Sequence, residues 1–508
     1  MSGAAVYERL VELTSTARFL NRVVKRSLQA GLRSPMRDLL IRGMAYLCRL
    51  QIKKLQHPMA PSANTPRLLL LSPERFTRDI NELADTNKFQ IFLAPPAWQF
   101  RLFSLFYDRV DKETETAVVR HLSHLRLEDY ERRFLGFAMA HHLDEPVLIR
   151  AQDDFRTFLA EFLSHLYRSL RIDCVAGVNF WYRQDVHWGV VSKQLGVPYI
   201  VFFKEGFRTE AGDQQHIIDR CKLLGGKFEG TYLAAPNPEV WGVFRRAGYV
   251  DETNSGSVGA PRMDALAKEL SGGTPPIPDN GRPMVTLFSF NPGIGLIDLG
   301  IKAWPDNPDA GWGKLFRATH AAFAKIAVSC PKADFVIKAK WGGSWIDKIR
   351  EAIRSGGVDS EDIANLRIVA DEDPLGLIRK SRVVCAFNST TMLEAAVMGR
   401  PVIVPEFREE IAHDLRGYVK FSGRGDIFDI VNSFEEMKDC VQQRLTDYQI
   451  PEQIMAMRRT EFEKWISNLD GTATENWCRV IESAIGNSLT HEHSRAASSS
   501  PALSSAVE

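Results

Sequence analysis

A chain of 508 residues with 44% hydrophobic and 25% charged content is sized for two folded domains with appendages and has an ordinary globular composition. Its formal net charge of +1 gives no whole-chain electrostatic case for nucleic acid or for a strongly charged partner. The seven cysteines (Cys48, Cys174, Cys221, Cys330, Cys385, Cys440 and Cys478) form no CxxC and no close pair, which argues against zinc and a disulfide framework and suits a reducing cytosol. Residues 1–60 depart from neutrality, with eleven Lys/Arg against three Asp/Glu. No apolar stretch follows a basic one there, and no run of about 18 apolar residues occurs anywhere, so neither a signal peptide nor a spanning helix is expected. Met36–Leu55 has helical spacing, with Leu40, Met44, Leu47 and Ile52 interleaved with Arg42, Arg49, Lys53 and Lys54. Two readings fit this basic helical extension: a segment resting on anionic lipid at the inner membrane face, or a helix packed on the body with a solvated basic face.

Residues 57–66 are a Pro-rich linker, and a first α/β domain is expected over 67–264. Its strands read as Arg67–Leu71, Phe89–Leu93, Ile172–Val178, Tyr199–Phe203, Gly230–Ala234 and Gly256–Val258, with residues 74–170 mostly helical. Strand 172–178, helix Asp185–Leu195, Gly196-Val-Pro198 and strand 199–203 make a βαβ crossover whose second strand ends in Lys204-Glu205-Gly206.

The Gly/Pro-rich stretch Ser271–Arg282 reads as the linker to a second domain over 283–430. Strand Met284–Phe288 leads into the loop Ser289–Gly295, and helix Trp312–Val328 follows. Strand Asp334–Ile337 ends in Lys338-Ala-Lys340-Trp-Gly-Gly343, before helix Ser344–Arg354, strand Leu366–Val369 and helix Pro374–Lys380. The segment Val383–Phe407 then reads as strand, hydroxyl-rich loop, short helix and strand, with Gly399 ending the helix and Pro401–Pro405 extended. Alternation at this spacing means a second doubly wound parallel sheet. Residues 431–487 read as helices and 488–508 as a disordered Ser/Ala-rich tail.

The run Ser389-Thr-Thr-x-x-Glu394-Ala-x-x-x-Gly399-x-Pro-Val-Ile403 resembles the donor-site segment of GT-B-fold glycosyltransferases that make bacterial capsule and other surface polysaccharides, and of the related sugar-nucleotide 2-epimerases. Gly259-Ala-Pro-Arg262-Met-Asp264 is similar to the Gly-x-Pro-Arg-x-Asp hinge between their domains. The resemblance implies two Rossmann-like domains, the first for the acceptor and the second for a nucleotide-sugar donor, with chemistry in the cleft. It implies transfer of a sugar to a hydroxyl of a polysaccharide or lipid-linked acceptor, with no cofactor and no metal. On the same scaffold the alternatives are a sugar-nucleotide 2-epimerase, an alcohol-phosphate transferase, or a non-catalytic nucleotide- or glycan-binding protein.

Under that reading Ser389, Thr390 and Thr391 meet the donor phosphates and Glu394 the ribose hydroxyls. The competing reading makes Thr391-Met-Leu-Glu394 a capping box serving its own helix, unless Asn388 or Ser389 is the N-cap. Asn291 and Gly293 lie in a glycine loop after a strand, either a phosphate loop or a tight turn. Lys338 and Lys340 are placed to neutralise the leaving diphosphate, although the family has a Lys-x-His-Pro-like motif near this point. Arg262 either touches donor phosphate or braces the domains. Glu205 is the first choice for general base, with Asp185 and His187 behind it. Asp371-Glu-Asp373 reads better as a helix cap before Pro374 than as a metal site.

Overall fold

The computed structural model describes residues 35–55, 62, 64–95, 98–107, 116, 144–182, 185–277, 281–296 and 307–498. The first 34 residues of the basic extension, most of the 57–66 linker, residues 278–280 of the second linker and 499–508 of the tail lie outside the described residues. By contact the chain divides into two units, one of residues 1–204, 223–234 and 478–508 and the other of 205–222 and 235–477. No helix among the described residues is long and apolar enough to cross a membrane.

The protein is α/β, built on two sheets. The first contains β1 (Lys53–Lys54), β2 (Arg67–Leu70), β3 (Gln90–Leu93), β4 (Cys174–Gly177), β5 (Tyr199–Phe202), β6 (Tyr232–Ala235) and β7 (Ser255–Ser257), in the order β1-β3-β2-β4-β5-β6-β7. Strands β2 to β6 pair in parallel, and β1 runs antiparallel at the β3 edge. The parallel strands are short continuous apolar runs, as expected where both faces are covered: Leu68, Leu69, Leu70, Cys174, Val175, Ala176, Ile200 and Val201 have no exposed surface. The helical pattern of Met36–Leu55 stops sooner than its spacing predicts, because Lys53 and Lys54 leave the helix Arg37–Gln51 to pair with Leu93 and Phe92. Two exposed lysines on an outer strand also discourage a further chain from adding there.

The second sheet contains β8 (Met284–Phe288), β9 (Asp334–Lys338), β10 (Leu366–Val369), β11 (Val383–Ala386), β12 (Val402–Pro405) and β13 (Asp429–Val431), in the order β10-β9-β8-β11-β12-β13. All five pairings are parallel. From β8 the chain winds outward to β9 and β10, then returns to the other side of β8 and winds outward again. This is the doubly wound order 3-2-1-4-5-6, and its switch point lies between β8 and β11. In the first sheet the corresponding point lies between β2 and β4. Strand β13 stands at the end of the second domain, where no strand is expected; three residues are too few to show a period-2 pattern.

Two buried arginines hold the helix after β11 from its far end. Arg458 donates to the carbonyls of Ala396 (3.4 Å), Arg400 (3.0 Å) and Ile427 (2.9 Å). Arg400 donates to Ile378 (3.1 Å), Arg379 (3.1 Å), Pro275 (3.2 Å) and Pro276 (3.3 Å). Both guanidiniums add side-chain bonds to carbonyls at the C-terminal ends of helices Thr391–Val397 and Pro374–Lys380, where positive charge is favoured. Burial lowers both to about 10.

The segment Val258–Asp264 is gripped by residues 467–477. Ser467 Oγ accepts from Ala260 N (2.9 Å), Trp477 Nε1 donates to Gly259 O (3.1 Å), and Asp264 accepts from the N–H groups of Ala473 (3.0 Å) and Thr474 (2.8 Å). Gly259 has φ +81°, and a Cβ there would meet Asn468 Oδ1 at 2.1 Å, so only glycine fits.

Candidate functional site

At the switch point of the second sheet, two loops leave adjacent strand ends. The first follows β8. Asn291 Oδ1 accepts from Gly293 N at 2.9 Å, and Trp312 closes the loop through N→Pro292 O and Nε1→Ile294 O, both 2.7 Å. The loop is thus a compact turn at a strand end in which Asn291 holds Gly293. Ser289, the first residue beyond β8, accepts or donates at 2.9 Å with His320 Nε2, while His320 Nδ1 lies 2.6 Å from Phe316 O. The carbonyl can only accept, so Nδ1 carries the proton and Nε2 receives the Ser289 hydroxyl. Burial lowers His320 to about 4, which keeps the ring neutral and the serine oriented. His320 sits mid-helix among apolar residues, and nothing in its sequence neighbourhood points to Ser289.

The second loop follows β11. Asn388 takes φ +47° and is buried; its Nδ2 donates to Tyr418 O (3.1 Å) and its Oδ1 accepts from Lys420 N (2.8 Å). Helix Thr391–Val397 starts with Thr390 as N-cap and no side-chain cap bond. Neither Asn388 nor Ser389 is the N-cap, and the Thr391–Glu394 capping box does not form, because Thr391 already has helical geometry. Instead Thr390 Oγ1 donates to Glu394 Oε1 at 2.9 Å, and Ser389 Oγ accepts from Thr391 Oγ1 at 2.8 Å. Glu394 is 4% exposed, so it orients the Thr390 hydroxyl from beneath and leaves that oxygen's lone pairs to accept from a ligand.

Beyond β9, the neighbour of β8, Lys338 Nζ donates to Ala370 O (2.6 Å) and Ala339 O (2.9 Å). Lys340 is exposed, with its ammonium 5.2 Å from the Trp341 ring centre. Trp341 is 50% exposed and meets Trp345 edge-on at 5.0 Å. An open indole at a strand end is the flat surface a nucleobase stacks on; the sequence reading assigned no residue to that task. Asp373 is the N-cap of helix Pro374–Lys380, accepting from Gly376 N at 2.7 Å. Among the described residues no group of three or more His, Cys, Asp or Glu is placed to hold a metal ion. Arg262 lies half-buried in the turn Pro261–Met263, next to the structural anchor Asp264.

Glu205 belongs to a charged cluster in the same unit. It pairs with Arg208 (3.4 Å), Arg208 faces Asp213 (3.6 Å), and Asp213 Oδ2 accepts from Lys420 Nζ at 2.6 Å. Asp213 and Lys420 are about 5% exposed, and Phe207 lies 5.2 Å from the ammonium. Through Lys420 the cluster reaches Asn388, and hence the loop that carries Ser389 and Thr390.

In the other unit, Asp185 and His187 lie on the loop after β4, beside that sheet's own switch point. Gln99 Nε2 bridges Ser72 Oγ and Asp185 Oδ1, each at 3.3 Å. Burial drives the Asp185 carboxyl up to about 8, against the pull of Arg75 and the Gln99 bond. Gln99 Oε1, Trp188 Nε1 and Tyr199 Oη nearby are buried and have no hydrogen-bond partner among the described residues. His187 Nδ1 accepts from Arg156 Nε at 3.2 Å, which leaves the neutral ring its proton on Nε2. Of the three acid–base candidates Asp185 has the environment that raises a carboxyl toward neutrality. Ser72 and Gln99 are residues of this group that the sequence reading missed.

No protein-family model and no curated protein matches the chain. Among solved structures it is similar to the UDP-GlcNAc 2-epimerase of Neisseria meningitidis bound to UDP-GlcNAc, at 14% identity over 82% of this chain and 100% of that one, TM-score 0.43. It is similar to the Methanocaldococcus jannaschii UDP-GlcNAc 2-epimerase in complex with UDP-GlcNAc and UDP, at 11% identity over 82% and 99%, TM-score 0.42. The wall teichoic acid polymerase TagF matches at 11% identity over 92% and 99%, TM-score 0.45. Likeness at this level leaves activity to be read from the chain's own residues.

Proposed function

We propose that the chain is a GT-B-type enzyme of nucleotide-sugar chemistry, transferring a sugar to a hydroxyl of a glycan or lipid-linked acceptor. One topological observation carries the reading: the loops Asn291–Gly295 and Asn388–Thr391 leave the C-terminal ends of β8 and β11, on either side of the switch point. Doubly wound sheets bind nucleotides in the crevice at that point. Ser389, whose proton the bond from Thr391 leaves uncommitted, donates to the diphosphate; Thr390, its proton given to Glu394, accepts from a ribose hydroxyl; and Trp341 stacks on the base. Lys340 supplies charge for the leaving diphosphate, a task for which a point cation suffices.

In the reaction the acceptor hydroxyl loses its proton to a base as its oxygen bonds the anomeric carbon. The bond from that carbon to the phosphate oxygen breaks, and the nucleoside diphosphate leaves. Asp185 suits the proton transfer, because a general base works best with a pKa near the working pH. A second reading, 2-epimerisation, is favoured by the placing of Asp185 and His187 two residues apart at one strand end, since elimination and readdition need a proton acceptor and a donor.

One assay separates the two. The purified chain is incubated with UDP-, GDP-, dTDP- and CMP-sugars, with and without an oligosaccharide or lipid-linked acceptor, and products are identified by mass and by NMR. Transfer predicts nucleotide release that requires acceptor and persists in a metal chelator. Epimerisation predicts an altered nucleotide-sugar without acceptor. No turnover of any donor under either condition would sink the enzyme reading.

A further inference from the structure

Helix Arg37–Gln51 has two apolar faces, and its own unit uses one. Ile41 and Ala45 are buried, Arg37 pairs with Glu161 at 3.0 Å, and Cys48 Sγ accepts from Trp98 Nε1 at 2.9 Å. On the other face Met36, Leu39, Tyr46, Leu47 and Leu50 are 58–64% exposed. At roughly 100° per residue Leu50 stands opposite Ile41, with Leu39 and Tyr46 to one side and Met36 and Leu47 to the other, so the five form one stripe. Among the described residues only Val328 and Trp341 are comparably exposed large apolar side chains, so the stripe is not the ordinary scatter of surface hydrophobics.

Most of the charge around the stripe is positive. Arg42 and Arg49 border it on the Leu39 and Tyr46 side, exposed Lys53 and Lys54 follow on β1, and the helix's one acid, Asp38, is engaged by Arg42 at 2.8 Å. We propose that this face docks on an anionic lipid surface, with the helix flat among the headgroups, the five apolar side chains inserted, and Arg42, Arg49, Lys53 and Lys54 against lipid phosphate. Fifteen residues are too short to cross a bilayer but suit a helix lying in its interface. A second copy of the chain is the weaker occupant: a two-fold pairing would set these cations against their equals, whereas an anionic membrane complements them.

The test is sedimentation of the full chain with vesicles of phosphatidylcholine alone or mixed with phosphatidylglycerol. Two variants accompany it, Leu39→Gln/Leu47→Gln/Leu50→Gln and Arg49→Gln/Lys53→Gln/Lys54→Gln. Anionic vesicles should bind about tenfold or more tighter than neutral ones, and each variant should lose about tenfold. Every substituted side chain is exposed, so unfolding temperatures should stay with the wild type and rule out misfolding. Equal binding to both vesicle types would overturn the proposal. So would full anionic binding by the apolar variant, which would place the contact elsewhere in the chain. A lipid-free dimer that the apolar variant turns into monomer would assign the stripe to a second copy instead.

Discussion

Asp213→Ala should cost about 3–5 kcal/mol of folding stability, because it strips the hydrogen-bonded carboxylate from a buried ammonium. Lys420 Nζ lies 2.6 Å from Asp213 Oδ2, and both side chains are about 5% exposed. Burial lowers the Lys420 pKa, and the Asp213 charge opposes that drift. Removing Asp213 leaves the buried Lys420 ammonium near the Arg208 charge, which disfavours it further. Lys420→Met should be milder, since Arg208 still meets Asp213 at 3.6 Å. The double variant should be more stable than Asp213→Ala alone, because no buried charge is then unpaired. Chemical denaturation of the three variants checks the order. Asp213→Ala within about 1 kcal/mol of wild type would mean that the pair is not buried in solution. The same substitution should loosen Asn388, whose Oδ1 holds Lys420 N, and so weaken ligand binding at Ser389 and Thr390.

Asp185→Asn should raise stability at neutral pH. Burial pushes the carboxyl up to about 8 in the folded chain against an ordinary 3.8, so the folded state holds a proton that the unfolded state releases. Stability from this group is complete below the unfolded value and falls as pH rises through the folded one. Between pH 4 and 7 the loss is on the order of 4 kcal/mol. Asparagine does not titrate, so the variant should match wild type near pH 4 and exceed it progressively toward pH 8, while turnover falls. Taking the difference between the two proteins removes other titrations, such as that of His320. A variant less stable than wild type at pH 8 would mean that Asp185 is ionised and held by Arg75. A carboxyl raised by burial beside a switch point fits the proton-transfer role proposed for Asp185.

Strands β8 and β10 and helix Pro374–Lys380 stand where the sequence places them, residue for residue, because each is a short apolar or capped run between turn formers. The α/β class and both doubly wound sheets follow from that alternation. What the sequence hides is mostly distance. Ser72, Gln99 and Asp185 meet from three separate segments, and Asp213 meets Lys420 across 207 residues. Local pattern carries no sign of either meeting. Asn388 reads as a cap former because its type is common there, but the Tyr418–Lys420 segment claims its side chain and forces φ positive. The helix Arg37–Gln51 hides its outer stripe for another reason: apolar residues on both faces flatten the amphipathic signal, and only the fold shows which face is covered.

The proposed nucleotide site is tested most directly by titrating the purified chain with UDP, GDP, CDP, CMP and dTDP and following thermal unfolding, for wild type and for Ser389→Ala/Thr390→Val. A ligand at about 100 times its Kd adds roughly 2.7 kcal/mol, a readily measured shift. One nucleotide should stabilise the wild type, and the double variant, unfolding normally without ligand, should lose most of that gain. No shift with any of the five, or a shift the variant keeps in full, would contradict a nucleotide bound between β8 and β11.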